Sequence, residues 1–239
     1  MTTAPPLDPT ATIGEAFGIY KQYAGILLPL SFGLFAIQAV LAVIFAGSAI
    51  GTLLALITSL ILGIIFQGAV VELARDVQDG TLDSSVGQLL SAITPIIGVL
   101  FVVGLLNGIA VIFGLVLLVI PGLFVLTIFA VVGPVTVVER PGIFAAFSRS
   151  RELVSGSGWQ VFALILFNFV LGFGLGLVGG IIGAIGGDAG GVIATWVVNS
   201  LLVPATALII AVAYLRLRDL KGDKPVPTGV ATPQGPQAI

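Results

Sequence analysis

From Ile96 to Val138 the chain runs without a single charged residue, and further uncharged runs lie at about 25–46, 52–71, 160–187 and 192–215. Such stretches have few folding solutions. About 20 apolar residues in helical conformation cross the hydrocarbon core of a bilayer, where the backbone must satisfy its own hydrogen bonds. Runs of this length, one of them too long for a single crossing, predict an all-α integral membrane protein. Composition agrees, with 58% hydrophobic and 8% charged residues against roughly 25% charged in a soluble domain.

Six spans follow once the long run is divided. Proline cannot donate to the helix ladder and glycine takes turn conformations readily, so a turn is expected at Pro121-Gly122, with spans at about 96–118 and 122–138. The other spans are expected at Gly25–Ala46, Thr52–Leu73, Gln160–Gly183 and Val192–Leu215, with turns at Gly47–Gly51 and around Asp188.

Three amphipathic stretches precede the outgoing spans. Thr12 and Glu15 make a T-x-x-E capping box, with Ile13, Ala16, Phe17 and Tyr20 at i, i+3, i+4 and i+7. Ser85 and Gln88 repeat the box, ahead of Val86, Leu89, Leu90 and Ile93. The third stretch opens on Pro141 and sets Ile143, Ala146 and Phe147 on one face, with Ser150 where the pattern asks for an apolar residue. Each reads as a short helix lying at the membrane surface. The architecture expected is six transmembrane helices as three hairpins, each preceded by an interfacial helix, in repeats at about 12–76, 84–139 and 141–218. Residues 1–11 are expected to be flexible, 72–85 to form a solvated loop, and 221–239 to be a disordered tail.

With six spans, all nine basic residues fall on one side of the membrane, which predicts both termini cytoplasmic. The start lacks a basic region followed by an apolar core, so the first span is expected to act as an uncleaved targeting signal.

Cysteine and histidine are absent, which removes disulfides, thiolate and imidazole metal sites, and histidine-based nucleophile systems. No cofactor, metal or nucleic acid is expected. Gly104/Gly108 and Gly172/Gly176, four residues apart, suit close helix packing. Gly174, Gly176 and Gly179 match a dinucleotide fingerprint by letter, but within a span rather than a strand-to-helix turn.

Two groups of polar residues remain. Gln67, Asn107, Asn168 and Asn199 lie inside spans, either lining a cavity between repeats or bonding between helices at about 0.6 kcal/mol each. Arg140, Arg149, Arg151, Arg216 and Arg218 form a basic surface suited to lipid head groups, or one that only sets orientation.

The runs LLVIPGLFVLTIFAVVGPVTVVE, FAAFSRSRELVSGSGWQVF and VPATALIIAVAYLRLRDL, with the opening TIGEAFGIYKQYAGILLPL, resemble the bacterial six-span proteins known as glycerophosphoryl diester phosphodiesterase membrane domain. The resemblance covers most of residues 12–220. It implies a bacterial plasma-membrane protein connected with phospholipid or glycerophosphodiester metabolism. The hydrolytic activity of that family belongs to a fused soluble domain with metal-binding histidines, so it does not transfer here. The function expected is that of a non-catalytic, lipid-interacting protein or membrane platform. A permease for a neutral or amphiphilic solute is the alternative. Membrane lipids, and a membrane-protein partner or homo-oligomer, are the expected partners.

Overall fold

A computed structural model describes residues 7–45, 48–80 and 86–223. All regular structure among them is helical, and six helices are long and apolar enough to cross a membrane: Ala24–Ile44, Ala49–Gln78, Gly87–Leu117, Val119–Val138, Gly158–Gly187 and Gly190–Leu220. The chain is a membrane-embedded, multi-pass protein.

Helix α1 (Pro9–Gln22) starts three residues before the expected box. Asp8 caps it, accepting from the backbone N–H of Thr10 and Ala11 and from the Thr10 hydroxyl, while Pro9 takes the first helical position, where no N–H is needed. Thr12 is instead buried and donates its hydroxyl to the Asp8 carbonyl, and Glu15 turns away to Arg216. The lead-in therefore yields Leu7 to Ala11 to the fold, with residues 1–6 outside the described residues.

After α2 (Ala24–Ile44), α3 runs from Ala49 to Asp79 and ends on Gly80 in the left-handed conformation, φ 72°. Its 31 residues span about 46 Å against a hydrocarbon core of about 30 Å. The segment expected as a solvated loop from Glu72 is thus its last two turns. Glu72 and Arg75 are buried, because that end packs on other helices. Ser85 lies outside the described residues.

The second amphipathic stretch forms α4 (Val86–Ile93), with Leu89 and Ile93 buried, and a 3-10 turn at Thr94–Ile96 leads into α5 (Ile97–Leu117). The chain reverses at Leu118, φ −166° and ψ 146°, three residues before the expected turn. Pro121 and Gly122 sit in the first turn of α6 (Val119–Ile128), a place that tolerates proline. Gly114 and Gly122 are there for space: a Cβ on Gly114 would lie 2.9 Å from the Gly122 Cα, and one on Gly122 would lie 2.7 Å from the Leu115 backbone N. The fourth crossing breaks at Phe129–Val131 before α7 (Val132–Val138), where Pro134 withholds an N–H from the ladder.

The 139–142 link carries Arg140 at φ 51° and Gly142 at φ 92°, and α8 (Ile143–Val154) follows. Ser150, the residue out of register, is fully buried and donates to the Ile128 carbonyl at 2.9 Å, an acceptor at the frayed end of α6. Last comes α9 (Gly158–Leu220), broken at Gly187 (φ 65°, ψ −164°), where the glycine-rich turn was expected. There a Cβ on Gly183 would lie 3.0 Å from the Gly191 Cα, so the two limbs meet backbone to backbone.

The second limb of α9 is the centre of the protein. Leu208, Ile209, Ala211, Val212, Ala213, Tyr214 and Leu217 are buried against α1, α2, α3 and α7. Half of its apolar window is buried, against 11% for the first limb. Pro204 has no N–H for the Ser200 carbonyl, and the Ser31 hydroxyl of α2 supplies the bond at 2.8 Å. Trp196 Nε1 donates to the Phe32 carbonyl and the Tyr20 hydroxyl to that of Leu201, fastening α2 and α1 on either side. Burial raises the Tyr20 pKa.

Candidate functional site

Charge collects where the ends of α1, α3, α8 and α9 meet. Arg149 is the hub: its Nε donates to Glu139 at 2.9 Å, its Nη1 lies 3.0 Å from Glu152, and its Nη2 binds Asp223. Burial works against the charge, but the hydrogen bonds to Asp223, Glu152 and Glu139 outweigh it and hold the guanidinium pKa above its ordinary value. The other Glu139 oxygen accepts from the Tyr214 hydroxyl at 3.1 Å. Lys221 donates to the Ser155 carbonyl, so the first tail residues, expected to be disordered, are tied to α8.

The other arginines expected as head-group ligands differ in their surroundings. Arg216 pairs with Glu15 at 2.6 Å. Arg140 lies 3.9 Å from Glu72 and donates to the Ala92 carbonyl. Arg218 is buried beside the Tyr214 ring and donates to Gln78, with its Nε unpartnered. Arg151 is exposed and has no ion pair among the described residues. Protein carboxylates thus meet most of this charge before any lipid does.

A second constellation lies inside the spans. A cavity of about 560 Å³ is enclosed by α3, α5 and both limbs of α9, with Ser59, Gln67, Asn168 and Thr206 as its polar lining. The rim includes Leu60, Leu105, Ile109 and Ile112, all exposed, so the cavity opens sideways onto the apolar flank. It is a lateral groove with an apolar rim. Towards the charged end a smaller cavity of about 200 Å³ shares Ile64, Gln67 and Gly104 with it and adds Asn107, between α5 and α7. In the other direction a cavity of about 800 Å³ shares Ser59 and adds Gln38 and Asn199, reaching the Gly187 break.

Gln67 and Asn168 thus line the central cavity, Gln67 and Asn107 the smaller one and Asn199 the largest, three spaces rather than one. No Asp, Glu, Lys or Arg lines any of the three. Asn107 and Asn168 have buried Oδ1 atoms with no partner, and neither side chain makes a hydrogen bond among the described residues, so neither serves as an interhelical bond. Gln38 does: its Nε2 donates to the Ala55 carbonyl at 3.0 Å, while its Oε1 is unpartnered.

Sequence reasoning passed over Ser59, Gln38 and Thr206 as lining residues. Thr206 had a signal, two residues beyond Pro204 on the same helix, whereas Ser59 and Gln38 had none beyond being polar. Of the glycines lining the groove, Gly104 packs against Ile64, 3.4 Å from where a Cβ would stand, whereas Gly63 and Gly108 have no atom within 4 Å of that position and help form open space. Among the described residues no three acidic side chains gather into a metal-binding group. No family model, curated protein or solved structure matches the chain.

Proposed function

We propose that this is a non-catalytic protein of the bacterial plasma membrane that holds a lipid or lipid-like amphiphile in the groove between α3, α5 and α9. In this reading the six spans form three hairpins, each led by a surface helix (α1, α4 and α8), and both termini are cytoplasmic. One observation carries the reading. The groove is uncharged and opens sideways through an apolar rim, while inside it the buried Asn168 Oδ1 lacks a partner among the described residues and Gln67, Ser59 and Thr206 add polar groups, the Thr206 hydroxyl donating to the Val203 carbonyl. An amphiphile fits both parts, with chains along the rim and a polar group within. The resemblance to the six-span family adds a connection with phospholipid or glycerophosphodiester metabolism to the same proposal.

Head-group capture by the arginines is the weaker form of this reading, since Arg149, Arg216 and Arg140 are each paired with protein carboxylates. Native mass spectrometry of protein extracted from its own membrane in mild detergent separates the two. The Arg149→Ala/Arg151→Ala variant is expected to keep its lipid adduct. Gly108→Phe, which fills the groove from a position with free space around it, is expected to lose it. Loss in the arginine variant alone would move the site to α8. Wild-type protein carrying no lipid would sink the groove reading and bring forward uptake assays for the alternative, a permease for a neutral or amphiphilic solute.

A further inference from the structure

We infer that the three linked cavities form a passage along which the polar group of a neutral, hydroxyl-bearing lipid crosses the membrane while its chains stay in the bilayer. The inference rests on the groove being a lipid site and adds movement to it. Its ground is the sharing of polar lining residues between neighbouring cavities. Asn107 and Gln67 line the cavity nearest the charged end, Gln67, Asn168 and Ser59 the central one, and Ser59 also lines the cavity of Gln38 and Asn199 at the Gly187 break. Each neighbouring pair of cavities shares a polar residue, Gln67 on one side and Ser59 on the other. A polar group passing along this line exchanges one hydrogen-bonding partner for the next and is never left in hydrocarbon without one.

The lining also selects the cargo. Carboxamides and hydroxyls satisfy a sugar or glycerol hydroxyl, but no cationic side chain stands along the path to balance a phosphate, whose buried charge is costly. Asn107 and Asn168, making no hydrogen bond among the described residues, have capacity unspent. The central and far cavities, about 560 and 800 Å³, are within the roughly 300–1,000 Å³ range of small-molecule sites. At about 200 Å³, the cavity beside Asn107 is the constriction, walled by the buried Leu100, Val103, Val132 and Val137.

The test uses the full chain in vesicles of phosphatidylethanolamine and phosphatidylglycerol. A trace of short-chain NBD-labelled hexosyl diacylglycerol is added, and its arrival in the outer leaflet is followed by dithionite quenching. NBD-labelled phosphatidylglycerol is the anionic comparison. Wild-type protein is expected to speed the hexosyl lipid about tenfold or more over protein-free vesicles and to leave the anionic lipid near its unassisted rate. Ser59→Leu/Gln67→Leu, which removes both shared polar residues, is expected to cut the acceleration about tenfold, the effect of one lost hydrogen-bonding step. Gly108→Phe provides an independent block if the double variant does not fold. No acceleration by wild type, equal acceleration of both lipids, or an undiminished rate in both variants would each overturn the passage. If wild type still carries lipid in native mass spectrometry, only the passage fails; if it carries none, the lipid site fails with it.

Discussion

Ser150 shows how a residue that looks like a flaw in a pattern can be the reason the local structure holds. Its hydroxyl reaches the Ile128 carbonyl, an acceptor left where the fourth crossing breaks between α6 and α7. An apolar residue there would complete the stripe on α8 and strand a buried acceptor. Ser150→Ala is expected to cost about 1–3 kcal/mol, the desolvation cost of an orphaned buried group, and thermal unfolding in detergent micelles reads it as a lowered midpoint. An unchanged midpoint would mean that water reaches the Ile128 carbonyl.

Helix ends and breaks were legible only in part, and each difference has a local physical cause. The capping box at Thr12 and Glu15 lost to Asp8 because Pro9 suits the first helical position and Asp8 reaches two backbone N–H groups at once. Hydrogen bonds from the Thr10 hydroxyl and the Ala11 N–H hold the Asp8 pKa below the ordinary aspartate value of 3.8. Its stabilising effect on α1 is therefore complete above that value and lost as pH falls through the lowered one. Amide protection relative to the intrinsic exchange rate at residues 10–12 is expected to hold down to about pH 4 and to fall below it, with Asp8→Ala removing the step. The Pro121-Gly122 turn failed for a related reason. Proline is as acceptable in a helix's first turn as in the bend before it, and the sequence does not choose between them.

Across the whole molecule the two limbs of α9, both long and apolar enough to cross a membrane, play unequal parts. The second limb of α9 is wrapped by neighbours, while the first limb presents Phe169, Phe173, Leu177 and Ile181 outward. Substitution should report this asymmetry. Ala213→Leu, in the packed centre, is expected to destabilise by about 1–3 kcal/mol through overpacking, whereas Gly176→Leu, with open space around it, is expected to leave the unfolding midpoint nearly unchanged. Equal losses at both positions would mean that the first limb is also packed, by a second copy of the chain or another membrane protein.

Chain length, uncharged runs and the lack of charge within them determined the membrane class and the number of crossings, because crossing a bilayer depends on local length and hydropathy. They also marked Gln67, Asn107, Asn168 and Asn199, since polar groups stand out in apolar spans. Tertiary structure alone decided which helix is central, that Arg149 and Arg216 answer to Asp223 and Glu15 far along the chain, and that the four carboxamides line neighbouring cavities. In lipid, faces turned to the bilayer and faces turned to protein are equally apolar, so helical periodicity does not say which is which. Close backbone approach and hydrogen bonds between distant segments make that choice, and they exist only once the helices are packed.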